Sequence, residues 1–213
     1  MVKENFSHVD VWVFDLDNTL YPAEANLFAQ IEVLMAGFVM RELGLDRTEA
    51  DALRRDYWHN HGTTLAGLMD RHGIDPDPYL HEVHEIDLSG LAKDAKLHAA
   101  IAALPGRRIV YTNGSRRHGE RVTDALGLNG LFDAIYGIED ADYRPKPEAA
   151  AFDRIFVRDG LDPKCGAMFE DDPRNLAVPH ARGMRTVLVG DTGDAPHIHH
   201  RTERLRDFLT QLG

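Results

Sequence analysis

The chain has 213 residues, 43% of them hydrophobic and 28% charged, with a formal net charge of −11. That length and balance suit a folded α/β domain carrying an insertion and argue against disorder. The acidic excess excludes the basic face of a nucleic-acid-polymer binder but leaves room for a small anionic substrate held by local cations and a metal.

The N-terminal residues lack the apolar segment of a signal peptide, and no run reaches the ~18 apolar residues of a membrane span. A cytoplasmic protein with no membrane partner is expected. The first element is the run Val11-Trp12-Val13-Phe14, which reads as a buried strand and ends in Asp15-Leu16-Asp17-Asn18-Thr19-Leu20. Tyr21-Pro22 then leads out of the core. From there to Leu91 the pattern is helical throughout. Leu27, Ile31, Leu34, Met35 and Phe38 recur at helical spacing, with Gly44 as a stop. Asp46 and Glu49 form a capping-box pattern ahead of Ala52, Leu53 and Tyr57. A third helix runs from Thr63 to His72 and closes at Gly73, and a fourth follows Pro76 and Pro78.

The α/β pattern resumes with a helix from Asp94 through Leu104, then a second buried strand, Arg107 to Tyr111, ending in Thr112-Asn113-Gly114. Ser115 caps a helix expected to run to Gly127, and a strand is expected over Ala134 to Ile138. Arg144-Pro145-Lys146-Pro147 leads into a helix over Glu148 to Arg158. The lone cysteine, Cys165, excludes an intramolecular disulfide and a cysteine-rich zinc site, and reads as a small residue beside the next strand. That strand, Gly166 to Phe169, ends in Glu170-Asp171-Asp172-Pro173, and one more covers Thr186 to Val189. Strands alternating with helices predict a parallel sheet with right-handed crossovers. The expected division is a core of residues 1–20 and 92–213 and an all-helical insertion over 21–91. The histidine-rich stretch Pro196 to His200 reads as a solvated loop.

Four strand-end groups thus point at one crevice. If a phosphate ester sits there with a divalent cation, each has a task. Asp15 is the nucleophile that takes the phosphoryl group. Asp17, two residues on and on the same side of an extended chain, is the general acid and then base, kept protonated at the right step by like-charge neighbours. Thr112 offers a hydroxyl, Asn113 and Gly114 backbone N–H groups ahead of a helix, and Lys146 a fixed charge on the phosphoryl oxygens. Asp15, the Asp17 backbone carbonyl and Asp171 supply oxygens to Mg2+, with Glu170 and Asp172 left as open alternatives.

Together these residues resemble the haloacid dehalogenase-like hydrolase superfamily, with Asp15 to Leu20 as its first motif, Thr112-Asn113-Gly114 its second, Lys146 its third and Glu170-Asp171-Asp172 its fourth. The resemblance implies a Rossmann-like three-layer α/β/α core with a helical C1-type cap inserted between the first two motifs, and a phosphate site to which Leu16 also belongs. Because dehalogenases lack the second aspartate, Asp17 favours a phosphatase. Asn18 to Pro22, with Phe169 to Asp172 and Asn175, is similar to the pyrimidine 5′-nucleotidase-like subgroup, which implies a nucleoside 5′-monophosphate as substrate. Pyridoxal phosphate, a sugar phosphate, a phosphomutase reaction and a non-catalytic phosphate-binding module are the alternatives. The expected partner is a small phosphorylated molecule, and the chain is expected to be a monomer or homodimer. In the cap, Tyr57 and Trp58 read as packing residues, while Arg116 and Arg117 point either to substrate or to solvent. Asn175 is a candidate support of the acidic loop.

Overall fold

The structure, a computed structural model, describes residues 2–190 and 193–212. Six strands form one parallel sheet: β1 (Val11–Phe14), β2 (Arg107–Tyr111), β3 (Ala134–Tyr136), β4 (Gly166–Glu170), β5 (Arg185–Val189) and β6 (His200–Thr202), in the spatial order β3-β2-β1-β4-β5-β6. Alternation along each strand sends side chains to both faces. Trp12, Phe14, Val110 and Phe169 join one apolar cluster, whereas Val11, Val13, Ile109, Met168 and Leu188 join the other. Both faces are covered, which is why these strands are apolar throughout rather than alternating. On the first face lie α5 (Ala95–Ala102), α6 (Arg116–Ala125) and α9 (Leu205–Leu209); on the second lie α7 (Ala149–Asp159) and α8 (Ala177–Ala181). The expected three-layer α/β/α arrangement is present.

Between β1 and β2 the chain forms α1 (Leu27–Leu43), α2 (Arg47–His61), α3 (Thr64–His72) and α4 (Pro76–Val83), with no strand among them. Asp46 accepts from the Glu49 amide while Glu49 accepts from the Asp46 amide, so the capping box forms as read. Gly67 lets α3 approach α2: a Cβ there would lie 2.2 Å from Tyr57 Cγ. Tyr57 is therefore a packing residue. Trp58, expected to pack as well, is 45% exposed and lines a cleft. Among the described residues no helix is long and apolar enough to cross a membrane.

Several boundaries move. The third strand stops at Tyr136 because Ile138–Ala141 coil into a 3-10 turn, tied down where the Gly137 amide donates to Asp140 at 3.0 Å. Helices α5 and α6 end at Ala102 and Ala125, short of Leu104 and Gly127, and α7 begins at Ala149 after Glu148. The histidine-rich stretch is a loop through His199, as read, but it is tied to the core and its last residue enters a strand. His199 Nδ1 lies 2.8 Å from Thr186 Oγ1, His197 Nε2 lies 2.7 Å from the Pro173 carbonyl, and His200 opens β6 at the sheet edge. A polar three-residue edge strand has no apolar alternation to announce it.

Candidate active site

The sheet places β1 between β2 and β4, with Phe14 level with both Val110 and Phe169. From β1 the chain builds β2 and β3 on one side and then crosses to β4 and β5 on the other, so the crevice beyond the carboxyl end of β1 is where an open α/β sheet binds ligands. A cleft of about 680 Å³ opens there. Asp15 and Asp17 line it together with Thr112, Asn113, Gly114 and Lys146, and so do Glu170, Asp171 and Asp172. Leu16 does not: its side chain is fully buried in the apolar core, leaving only its backbone near the cleft.

Lys146 is the centre of the charge arrangement. Its ammonium donates to Asp15 Oδ1 at 2.6 Å, Glu170 Oε2 at 2.7 Å and the Tyr111 carbonyl at 3.1 Å, and the side chain is almost fully buried. The expected contact of Lys146 is thus already divided between two carboxylates. Asn113 holds the lysine's backbone in place, its side-chain amide donating to the Lys146 carbonyl at 3.1 Å and accepting from the Lys146 amide at 2.7 Å. Burial pulls the ammonium down, but Asp15 and Glu170 outweigh it and hold Lys146 above its ordinary value. One lysine does not balance the carboxylates around it. Burial, together with the Glu170 charge, pushes Asp15 up to about 7; burial also pushes Glu170 to about 7 and, with the Asp15 charge, Asp171 to about 6.

Oxygens of Asp15, Glu170 and Asp171 lie within 4.8 Å of one another. Crowded carboxylates short of positive charge are a donor set that fits a hard divalent cation such as Mg2+. Asn18, whose φ of 59° places it in the left-handed region, donates to Asp171 Oδ2 at 3.2 Å. Asp172 turns instead to Arg174, whose side chain donates to it at 2.6 Å and holds its carboxyl below the usual range despite the partial burial that would raise it. Beside this loop the Oδ1 of Asn175 is buried and has no hydrogen-bond partner among the described residues.

The surroundings of Asp17 differ from the expected like-charge neighbours. Tyr21 Oη donates to its Oδ1 at 2.5 Å, and His118 Nε2 lies 3.1 Å from the same oxygen. Burial by itself would raise Asp17, but the charge and hydrogen bond of His118, with the bond from Tyr21, hold it at about 2. In the free cleft Asp17 is an anion. Behind His118 the His84 ring stacks at 4.4 Å, and Ser115 Oγ lies 3.2 Å from His84 Nδ1. The sequence pattern does not single out Tyr21, His84 or His118 as site residues. His118 lies in the first turn of α6, directly after the second motif, and that position is the one signal available.

Burial, reinforced by the neighbouring His118, drives His84 down from 6.5 to about 3, so it is neutral when folded and takes a proton below about pH 6.5 when unfolded. Its contribution is complete above that value and lost as the pH falls toward 3. Replacing His84 with Phe is expected to flatten the acid limb of stability by about 1.4 kcal/mol at pH 5.5. Urea unfolding of both proteins at neutral pH and at that pH measures the difference, and parallel acid limbs would refute it.

At the second motif, Thr112 Oγ1 accepts from the Gly114 amide at 2.8 Å, so that N–H is occupied within the loop. A Cβ at Gly114 would meet His118 Cδ2 at 3.2 Å and His84 Nε2 at 3.3 Å, which is why the smallest residue sits there. Arg116 is bound to Asp140 and Arg117 to Glu85. Neither lines the cleft.

The family model of the haloacid dehalogenase-like hydrolases matches residues 9–181. Phosphate metabolism protein 8 of Saccharomyces cerevisiae is 27% identical over 194 residues, covering 84% of this chain; the chain spans 60% of that relative's length. Among solved structures, a HAD phosphatase from Thermococcus onnurineus superposes with a TM-score of 0.63 at 19% identity, covering 96% of this chain and 98% of the other. The magnesium-bound HAD-hydrolase YfnB of Bacillus subtilis gives 0.62 at 15% identity over 96% and 99%. The L-2-haloacid dehalogenase of Xanthobacter autotrophicus gives 0.59 at 14% over 96% and 98%. These structures share the fold, and that fold is common to phosphatase and dehalogenase alike.

Proposed function

Because this chain belongs to the haloacid dehalogenase-like hydrolases, we propose that it hydrolyses a small phosphomonoester through an aspartyl-phosphate on Asp15. A pyrimidine nucleoside 5′-monophosphate is the substrate we favour. The observation that selects an ester of phosphate over a haloacid is Asp17, held in the Asp15 cleft by Tyr21 and His118. A haloacid carbon needs no proton delivered to its leaving group, whereas a departing alkoxide does. The name of the yeast relative, a phosphate metabolism protein, agrees with this choice.

In the first half-reaction an Asp15 oxygen forms a bond to phosphorus, the ester P–O bond breaks, and Asp17 gives its proton to the departing oxygen. Asp17 is anionic in the free cleft, so it must gain that proton as the substrate binds. A phosphate dianion entering beside it raises its pKa by like-charge repulsion. In the second half-reaction a water attacks phosphorus, Asp17 takes the water's proton, and the Asp15–phosphorus bond breaks. Its depressed pKa suits this second role directly. A divalent cation held by Asp15, Asp171 and the Asp17 backbone carbonyl supplies charge neutralisation of phosphate and nucleophile together. Lys146 fixes Asp15 and faces the phosphoryl oxygens with its remaining charge. Residues 21–91 act as the cap, carrying the groups that contact the leaving alcohol.

Incubation with a panel of monophosphates and Mg2+ is expected to release inorganic phosphate, fastest from pyrimidine nucleotides, and EDTA is expected to stop it. No release from any member, or undiminished release after chelation, would overturn the proposal.

A further inference from the structure

The catalytic groups occupy one wall of the cleft, and α2 supplies another. Arg47, Asp51, the adjacent pair Arg54 and Arg55, and Trp58 recur every three or four residues and all line the cleft. That spacing is a single stripe of a helix. The buried positions of α2, Ala50 and Tyr57, lie along one flank of that stripe. The cleft-facing stripe is different in kind, since it is charged along most of its length and ends in an exposed aromatic ring.

Most of its charge is internally matched. Arg47 Nε lies 2.7 Å from Asp51, and Arg54 lies 3.0 Å from Asp51 and 3.6 Å from Glu32. Two cations therefore meet two anions. Arg55 is left over: among the described residues its side chain has neither an ion pair nor a hydrogen bond, although it faces the cleft. A guanidinium donates and never accepts, so it calls for an acceptor on whatever lies against it.

The apolar part of this wall is aromatic. Phe28 of α1 is 44% exposed and lines the same cleft as Trp58. Trp58 is steadied from the core, where the Arg174 guanidinium sits 4.1 Å from its ring centroid. Exposed flat rings beside an unpaired donor suit a flat ligand with acceptors on its edge. The cleft volume lies within the range of roughly 300–1,000 Å³ that encloses a whole small organic ligand, so a phosphoryl group by itself leaves most of it vacant.

We infer that the α2 stripe is the specificity wall, where Arg55 reads an acceptor on the edge of a planar leaving group and Phe28 and Trp58 contact its faces. The inference rests on the phosphomonoesterase reading for the word leaving group, but the recognition itself is a binding property. A carbonyl-bearing heterocycle such as uracil offers both the edge acceptor and the flat faces; an acyclic or sugar alcohol offers acceptors but no flat face.

The test uses binding, so that it does not depend on turnover. Affinities of uridine 5′-monophosphate, glycerol phosphate and inorganic phosphate are measured calorimetrically on the Asp15→Asn protein, with and without Arg55→Met, and again with Phe28→Leu. Arg55→Met is expected to weaken the nucleotide by roughly tenfold to a hundredfold, the span of one hydrogen bond to a charged group, and to leave inorganic phosphate within about twofold. Phe28→Leu is expected to weaken the nucleotide and leave glycerol phosphate unchanged. Equal losses for all three ligands, no loss for the nucleotide, or glycerol phosphate binding as tightly as the nucleotide would overturn the inference. Should the expected pattern appear while the wild-type protein releases no phosphate, the hydrolysis reading fails and the specificity wall stands. Arg55 is exposed, so the Arg55→Met protein is expected to keep the wild-type unfolding midpoint.

Discussion

Substituting Asn for Asp15 is expected to lower phosphate release by at least about 10³-fold, because an amide neither attacks phosphorus nor leaves again. The same change is not expected to cost stability. Asp15 shares one lysine with Glu170 at 2.6 and 2.7 Å, and burial, together with the Glu170 charge, lifts its pKa to about 7. A neutral amide of the same shape relieves the crowding and still accepts from Lys146. Steady-state phosphate release and urea unfolding, measured on the same preparation, separate the two effects. An inactive variant with a lower unfolding midpoint would point to a damaged fold instead of a missing nucleophile.

Lys146→Met is expected to show the opposite division, losing both activity and stability. Removing the ammonium leaves two buried carboxylates without their cation, the situation in which breaking a buried pair costs about 3–5 kcal/mol. The two carboxylates respond by binding protons, so their pKa values rise further. A raised carboxylate pKa means the folded state holds protons that the unfolded state has released, so stability falls as pH rises through the unfolded carboxylate range toward the folded values. The variant should therefore recover part of its deficit relative to wild type when the pH is lowered from 7 to about 5. Combining it with Glu170→Gln should restore much of the stability at neutral pH without restoring turnover. Equal deficits at both pH values would show that Lys146 holds the fold by packing and not by charge.

The parts of this architecture legible in the sequence are those fixed by local pattern. The strands β1, β2 and β4 are buried on both faces, so each reads as an unbroken apolar run, and the polar residues just past each run are the ones that line the cleft. The capping box at Asp46 and Glu49 is equally local. Asp17 illustrates the limit. The carboxylates of the motifs point to a raised pKa, whereas the bonds from Tyr21, four residues on, and from His118, brought in by the fold, lower it. His84 is brought to the same place from the end of α4, and nothing in a single sequence pairs it with a residue on α6. Trp58 marks the same boundary on α2, where adjacent aromatic residues divide, Tyr57 toward Gly67 and Trp58 toward the cleft, according to how the helix is rotated against its neighbours. The edge strand β6 was hidden for a different reason, since its three residues are polar and its pairing with β5 is set by register alone.

The central claim is that the phosphoryl group passes through Asp15, and acid quenching during the first turnovers tests it most directly. Wild-type protein mixed with a hydrolysed monophosphate and Mg2+, quenched, digested and mapped by mass spectrometry, should carry a hydroxylamine-sensitive phosphoryl group on the peptide containing Asp15. Full-rate phosphate release with no phosphoryl-enzyme, or with the phosphoryl group on another residue, would contradict it.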